Sequence, residues 1–284
     1  MRVISRIDEV HEFLDEVRAQ KKTIGLVPTM GFLHKGHIAL IERSIKENDI
    51  TMVTIFVNPL QFAEGEDLSS YPRDLHNDKE QCDAAGVDLL FSPSHEEMYS
   101  QQVLTSIQIK DLTENMEGES RPTHFSGVAT VVAKLFNIVG LCNAYFGEKD
   151  WQQLQVISKM AHDLSFRVRV FGCPTVRHSD GLALSSRNAY LTPKERKSAT
   201  VLSRSLQKAS ETFQSGERST SVIMAQIIEE ISTEPLVSLD YIEIVEGRSL
   251  KSVNEIKEGS RILLAANVGE ARLIDNVDPY VGIQ

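Results

Sequence analysis

Residues 23–57 read T-I-G-L-V-P-T-M-G-F-L-H-K-G-H-I-A-L-I-E-R-S-I-K-E-N-D-I-T-M-V-T-I-F-V. The run from Thr23 to Val27 is apolar and reads as a buried strand that Pro28 stops. From His37 to Asn48, Ile38, Leu40, Ile41 and Ile45 recur among polar residues, which predicts a helix. The β-branched run from Ile50 to Val57 predicts a second buried strand. Strand, helix and strand with short connections make a parallel βαβ unit, with ligands expected at the carboxyl ends of the strands. The same alternation continues outward. Ile7, Val10, Phe13, Leu14 and Val17 predict a helix over 7–20. Further helices are expected at 75–85, 125–140 and 152–164, and strands at 87–91, 144–146 and 166–171. Residues 103–109 suit a strand or an edge. After about residue 175 the order changes. Thr192–Pro193 opens and Gly216 closes what reads as one long helix. A helix over 221–231 follows, then strand-like runs at 239–245, 261–267 and 272–277. The expected architecture is an α/β domain over 1–175, with a parallel sheet and helices on both faces, and a small α+β domain over 176–284.

Composition narrows the function classes. The chain has 284 residues, 41% hydrophobic and 25% charged, as a chain with a real core should have. Its net charge of −10 argues against a nucleic-acid partner, because phosphate neutralisation needs a basic surface. No apolar run reaches the roughly 18 residues of a membrane span. The acids of the first dozen residues do not suit a signal peptide, so a cytoplasmic location is expected. Three scattered cysteines, with no C-x-x-C spacing, read as free thiols rather than a metal site.

Four polar segments fall at predicted strand ends. In P-T-M-G-F-L-H-K-G-H (28–37), Gly31 permits a turn and Gly36 a close approach. His34 and His37, three apart, share one face of a first helical turn. Placed at a helix N-terminus with its free N–H groups, they suit phosphate oxygens. A surface histidine pair or a zinc pair is the alternative, the latter without a third ligand at suitable spacing. N-P-L-Q-F (58–62) offers the neutral amides of Asn58 and Gln61 to a small polar substrate. G-E-K-D-W-Q-Q (147–153) carries Lys149 as a point charge for phosphate, Asp150 as an acceptor and Gln153 one turn further on; Trp151 reads as a packing residue. V-R-H-S-D-G-L-A-L-S-S-R-N (176–188) brings Ser185, Ser186 and Arg187, a set suited to polyphosphate, and a tight turn at Asp180–Gly181. Each has a plainer reading as a solvated loop or linker. Arg121 and His124, in R-P-T-H-F-S-G, and Asp78, beyond Y-P-R (71–73), have no role that chemistry alone decides. Lys35, Lys149 and Arg187 form the local cationic set an acidic protein needs to hold an anion. The residues therefore point to a nucleotide-dependent α/β enzyme.

Six stretches together resemble the pantothenate synthetase family, the ATP-dependent pantoate–β-alanine ligases. They are P-T-M-G-F-L-H-K-G-H (28–37), V-N-P-L-Q-F (57–62), Y-P-R (71–73), R-P-T-H-F-S-G-V (121–128), F-G-E-K-D-W-Q-Q-L (146–154) and L-S-S-R-N (184–188). The resemblance implies a Rossmann-like first domain with an H-x-G-H motif and a small C-terminal lid. It implies a two-step reaction: pantoyl adenylate and pyrophosphate form first, then β-alanine displaces AMP to give pantothenate. It places Met30, Gly31, Phe32, Leu33, His34, Lys35, Gly36 and His37 on ATP, together with Gly147, Glu148, Lys149, Asp150, Val176, Leu184, Ser185, Ser186 and Arg187. It gives His37 an acid role, counts His34, Lys149 and Arg187 with it as catalytic, and matches Gln61 and Gln153 to pantoate, with Gln61 also beside β-alanine. Phe32 stands where the family varies, and Lys35 where an acid is common.

The resemblance further implies Mg²⁺ bridging phosphate oxygens, with few protein ligands; Asp78 is the candidate the sequence offers. It implies a homodimer. The segment 176–188 is expected to move on ATP binding and close the small domain over the site, excluding water from the adenylate. Two alternatives stay open. A nucleotidylyltransferase of other specificity would use H-x-G-H without needing Gln61 and Gln153. A non-catalytic nucleotide sensor would tolerate loss of His37 or Lys149.

Overall fold

The computed structural model describes residues 1–283. The chain divides into two compact units, Met1–Glu148 with Gln152–Pro174, and Lys149–Trp151 with Thr175 onward.

The first unit runs β1 (Arg2–Ile4), α1 (Ile7–Ala19), β2 (Ile24–Thr29), α2 (Lys35–Glu47), β3 (Ile50–Ile55), α3 (Leu75–Ala85), β4 (Leu89–Phe91), α4 (His95–Met98), α5 (Glu117–Ser120), α6 (His124–Val139), β5 (Cys142–Gly147), α7 (Trp151–Asp163) and β6 (Val168–Cys173). Its six strands are all parallel, in the order β1-β4-β3-β2-β5-β6. Consecutive strand residues point to opposite faces. On β5, Tyr145 donates to Glu47 of α2, while Phe146 meets the Phe136 ring of α6 edge-on. Helices therefore cover both faces of the sheet. The chain turns one way from β2 to β3 and the other way from β2 to β5. That makes the carboxyl ends of β2 and β5 the topological switch point, where open α/β sheets bind ligands.

In the second unit, α8 (Pro193–Ser198), α9 (Val201–Gln214) and α10 (Thr220–Ser232) precede an antiparallel sheet of β7 (Val237–Glu246), β8 (Ser260–Val268) and β9 (Ala271–Val277). Leu202, Leu206 and Phe213 of α9, Ile223 and Ile227 of α10, and Ile262 and Leu264 of the central strand share one core.

Three expectations need correction, and one strand was not expected. β2 does not stop before Pro28: it runs to Thr29, with Pro28 opposite Thr54 of β3. Its pairing with β5 covers only Gly25 and Leu26, so the missing proline N–H breaks no ladder on that side. The long helix from Thr192 is two. Thr192 does cap it, in a capping box with Glu195, but after Ser198 the chain tightens. The Thr200 N–H and hydroxyl both turn back to the Lys197 carbonyl, which ends one helix and starts the next. Residues 103–109 form no strand; Leu104 there is 87% exposed. The short strand Arg2–Ile4 carries too little pattern to be read from three residues.

Candidate active site

The turn between β2 and α2 is built almost wholly from its own amides. Gly31 N–H donates to the Thr29 hydroxyl, Phe32 and Leu33 N–H to the two carboxylate oxygens of Asp78, His34 N–H to His37 Nδ1, and Gly36 N–H to His34 Nδ1. Gly31 has φ +81°, and a Cβ there would meet Asp78 Oδ2 at 2.8 Å, so only glycine fits. Phe32 follows at φ +50°, a left-handed conformation that an L-residue adopts only under constraint. Of the first-turn amides of α2, Gly36 N–H is taken by His34, and the four loop amides before the helix, Gly31 to His34, also have partners.

What the turn presents instead is imidazole. The His34 and His37 rings stack with centroids 4.0 Å apart. Each accepts a backbone N–H at Nδ1, which leaves the proton of the neutral ring on Nε2. Two stacked rings, 25° apart in plane, bring two imidazoles together, a pairing suited to adjacent oxygens of a polyphosphate.

Gln61 lies beside this turn, at the end of the short 3₁₀ segment Pro59–Gln61 that follows β3. It is buried, and its Nε2 reaches Met30 Sδ at 3.0 Å while Asn58 Nδ2 donates to its Oε1 at 3.2 Å. The Gln61 carbonyl takes His124 Nδ1 at 3.0 Å and Arg121 at 3.4 Å. Gly127 allows this approach, since a Cβ there would fall 2.2 Å from the Leu60 carbonyl oxygen. Arg121 and His124, undecided in the sequence, hold Gln61 from behind. Burial, with the Arg121 charge added, lowers the His124 pKa to about 4, so this ring is neutral. Arg121 also forms a two-pronged pair with Glu66 (2.8 and 2.6 Å). Burial pushes the Glu66 carboxyl up, but the Arg121 guanidinium outweighs it and holds the group below the usual range.

Asn58 is corrected from substrate amide to support. It is 1% exposed, donates to Gln61 and the Gly127 carbonyl, and accepts from Tyr99 and Leu60. Gln152 is support as well, buried and bonded to Leu112, Asn115 and Glu117 backbone groups. Gln153, next in the chain, is half-buried in the first turn of α7, and its amide bonds to no described residue. Gly147 ends β5 at the switch point, with Glu148 after it.

In the second unit, Lys149, Ser185, Asn188 and Asp275 line one small cavity, which joins two segments far apart in the sequence. Asn276 Nδ2 holds the Lys149 carbonyl at 2.8 Å, and Lys149 Nζ lies 3.8 Å from Asp150. Trp151 packs as expected, its N–H on the Gly247 carbonyl and the Arg261 guanidinium 3.6 Å over its ring. The segment from Val176 is a short hairpin: Leu184 N–H bonds back to the Val176 carbonyl, and Gly181 makes the turn at φ +88°. Arg177 anchors it to Asp275 through two buried contacts of 2.6 and 2.9 Å. Ser185 caps the next turn by accepting from Arg187 N–H, and Ser186 is buried within it. The segment is braced within this unit by these bonds.

The family model for pantoate-beta-alanine ligase matches residues 2–278. The chain belongs to this family. A pantothenate synthetase from Acetivibrio thermocellus is 48% identical over 277 residues, covering 98% of this chain and 99% of that one. One from Clostridium botulinum (strain Loch Maree / Type A3) is 46% identical over 97% of this chain and 98% of its own. Among solved structures, pantothenate synthetase from Thermus thermophilus superposes with a TM-score of 0.94 at 47% identity, covering 99% of this chain and all of that one. A pantoate-beta-alanine ligase from Francisella tularensis, complexed with beta-gamma ATP and beta-alanine, gives 0.82 at 34% identity, with both chains fully covered. Pantoate–β-alanine ligases join an acid to an amine, and the six-stranded parallel sheet with its smaller antiparallel unit is their fold.

Proposed function

We propose that the chain condenses pantoate with β-alanine at the expense of ATP, through pantoyl adenylate, and so supplies pantothenate. The stacked His34–His37 pair beside the buried Gln61 amide carries this reading. Pantoate's carboxylate oxygen attacks the α-phosphorus and pyrophosphate leaves. The β-alanine amine then attacks the acyl carbon and AMP leaves. No covalent enzyme intermediate is needed, because adenylation itself makes the carboxyl oxygen a leaving group. The protein's part is to orient reactants and place donors where charge builds.

In the first unit, Met30 to His37, Gly147 and Glu148 are the proposed ATP contacts, with the Nε2 protons of His34 and His37 directed to phosphate and His37 as the acid for the leaving group. Gln61 and Gln153 are the proposed pantoate contacts. A neutral amide holds a carboxylate without quenching its nucleophilicity, as arginine would. In the second unit, Lys149, Asp150, Val176 and Leu184 to Arg187 are the proposed nucleotide contacts, Lys149 and Arg187 meeting charge with charge. The residues do not build a dedicated Mg²⁺ site. Among those described, no group of three or more His, Cys, Asp or Glu is placed to hold a cation, and both oxygens of Asp78 are engaged by amides. Mg²⁺ would arrive on the nucleotide, with phosphate and water oxygens as ligands.

A homodimer is part of the proposal and rests on the family membership. No helix among the described residues is long and apolar enough to cross a membrane. The proposed compartment is the cytoplasm, where the buried thiols of Cys82, Cys142 and Cys173 stay reduced. The test is product dependence. AMP should accumulate from ATP and pantoate only when β-alanine is added. Steady AMP release without an amine would favour a nucleotidylyltransferase or a hydrolase.

A further inference from the structure

Asp78 places a carboxylate beneath the H-x-G-H turn, and no reading of the reaction above uses it. It sits in the first turn of α3, 1% exposed, and its two oxygens accept Phe32 N–H at 2.8 Å and Leu33 N–H at 2.7 Å. A buried anion beneath a site for a polyanion is costly unless it does something there. Burial indeed pushes its carboxyl above the usual range, and the two amides only partly offset this.

Two features show what it does. Phe32 stands at φ +50°, which an L-residue holds only when something outside the turn favours it. The two amides it orders point at Asp78, so they are withdrawn from any ligand. With Gly31, His34 and Gly36 N–H groups also engaged, five successive or near-successive backbone donors of the turn are taken within the protein, beside the two imidazoles.

We propose that Asp78 is a positioning residue for the adenylation step: by fixing Phe32 in the left-handed conformation and occupying the Phe32 and Leu33 amides, it sets the stacked histidines and directs triphosphate oxygens to their Nε2 protons. This rests on the reading of His34 and His37 as triphosphate contacts, and it concerns the first half-reaction more than the second, since the adenylate retains a single phosphate.

The test is Asp78→Asn, which keeps the shape but turns an NH₂ toward one of the amides. Pantoate-dependent exchange of pyrophosphate into ATP should fall about 10- to 100-fold in kcat/KM for ATP. Capture of supplied pantoyl adenylate by β-alanine should change less than about threefold, a split that general loss of structure would not give. A second readout isolates the backbone. In the Asp78→Asn background, Phe32→Gly removes the left-handed strain and Phe32→Ala does not, while both remove the ring. Glycine should restore exchange several-fold more than alanine. Equal recovery, or normal exchange in Asp78→Asn, would overturn the inference. Where Asp78→Asn does not fold, amide hydrogen exchange in the unaltered protein decides. Phe32 and Leu33 should be protected like core-strand amides, and loop-like exchange would overturn the inference. His34→Ala and His37→Ala run in parallel. Normal pyrophosphate exchange in both would refute the phosphate reading itself, whereas failure of the Asp78 variants alone leaves that reading standing.

Discussion

Gln61 is held on both its side chain and its carbonyl, by Asn58, Met30, His124 and Arg121, whereas Gln153 projects from the first turn of α7 with its amide bonded to no described residue. The same residue type is preorganised in one place and adaptable in the other. Gln152 sharpens the contrast. It differs from Gln153 by one position, yet it is buried and fully used by backbone groups. Helix phase, not residue chemistry, separates a support from a candidate ligand. A rigid amide suits a group that serves both half-reactions; an unbound one suits a contact made only once substrate arrives.

Breaking the rigid side of the comparison should have the largest effect. Gln61→Ala removes a donor to a charged substrate and also takes one of its four partners from Asn58. Each half-reaction should slow by about a hundredfold or more, measured as pyrophosphate exchange and as amide formation from supplied pantoyl adenylate. A loss confined to one step would remove the claim that Gln61 serves both.

The support behind Gln61 has its own signature. His124 has a pKa of about 4 in the folded protein, against about 6.5 in an unfolded chain. Between these values the unfolded chain binds a proton that the folded protein does not. Stability is therefore complete above about pH 6.5 and falls as the pH drops toward 4, by about 3 kcal/mol in all. Urea unfolding across this window should show that slope in the native sequence and a flatter one in His124→Asn. Identical slopes would show that His124 is not buried in its neutral form.

On the adaptable side, Gln153→Ala should cost about 1.5–3 kcal/mol in transition-state binding for adenylation, or roughly 10- to 100-fold in exchange. Its melting temperature should not move, because no internal hydrogen bond is lost. Gln152→Ala should do the reverse, losing about 1–3 kcal/mol of stability as three backbone groups lose their partner. If both variants behave alike, the difference between the two positions has no functional meaning.

The βαβ core was legible because its signals are local. Ile50 to Ile55 is β-branched, Leu75 to Ala85 is bounded by Asp74 and Gly86, and the H-x-G-H segment follows a strand. What could not be read depends on contacts far apart in the chain. Asp78 meets Phe32 across 46 positions, and Arg121 meets Gln61 across 60, so neither role has a spacing to recognise. Asn58 shows the limit of residue type: its amide suited a substrate until burial and four partners consumed it. The break after Ser198 escaped because its signs, the Thr200 N–H and hydroxyl both turned to the Lys197 carbonyl, are backbone details that apolar spacing does not record.

The central claim is that pantoate's own carboxylate attacks the α-phosphorus of ATP. Pantoate labelled with ¹⁸O in its carboxyl group tests it directly. A single turnover with β-alanine, followed by mass measurement of the products, should place one ¹⁸O in AMP and none in pyrophosphate. Unlabelled AMP, or label in phosphate released from the far end of ATP, would contradict the adenylate route.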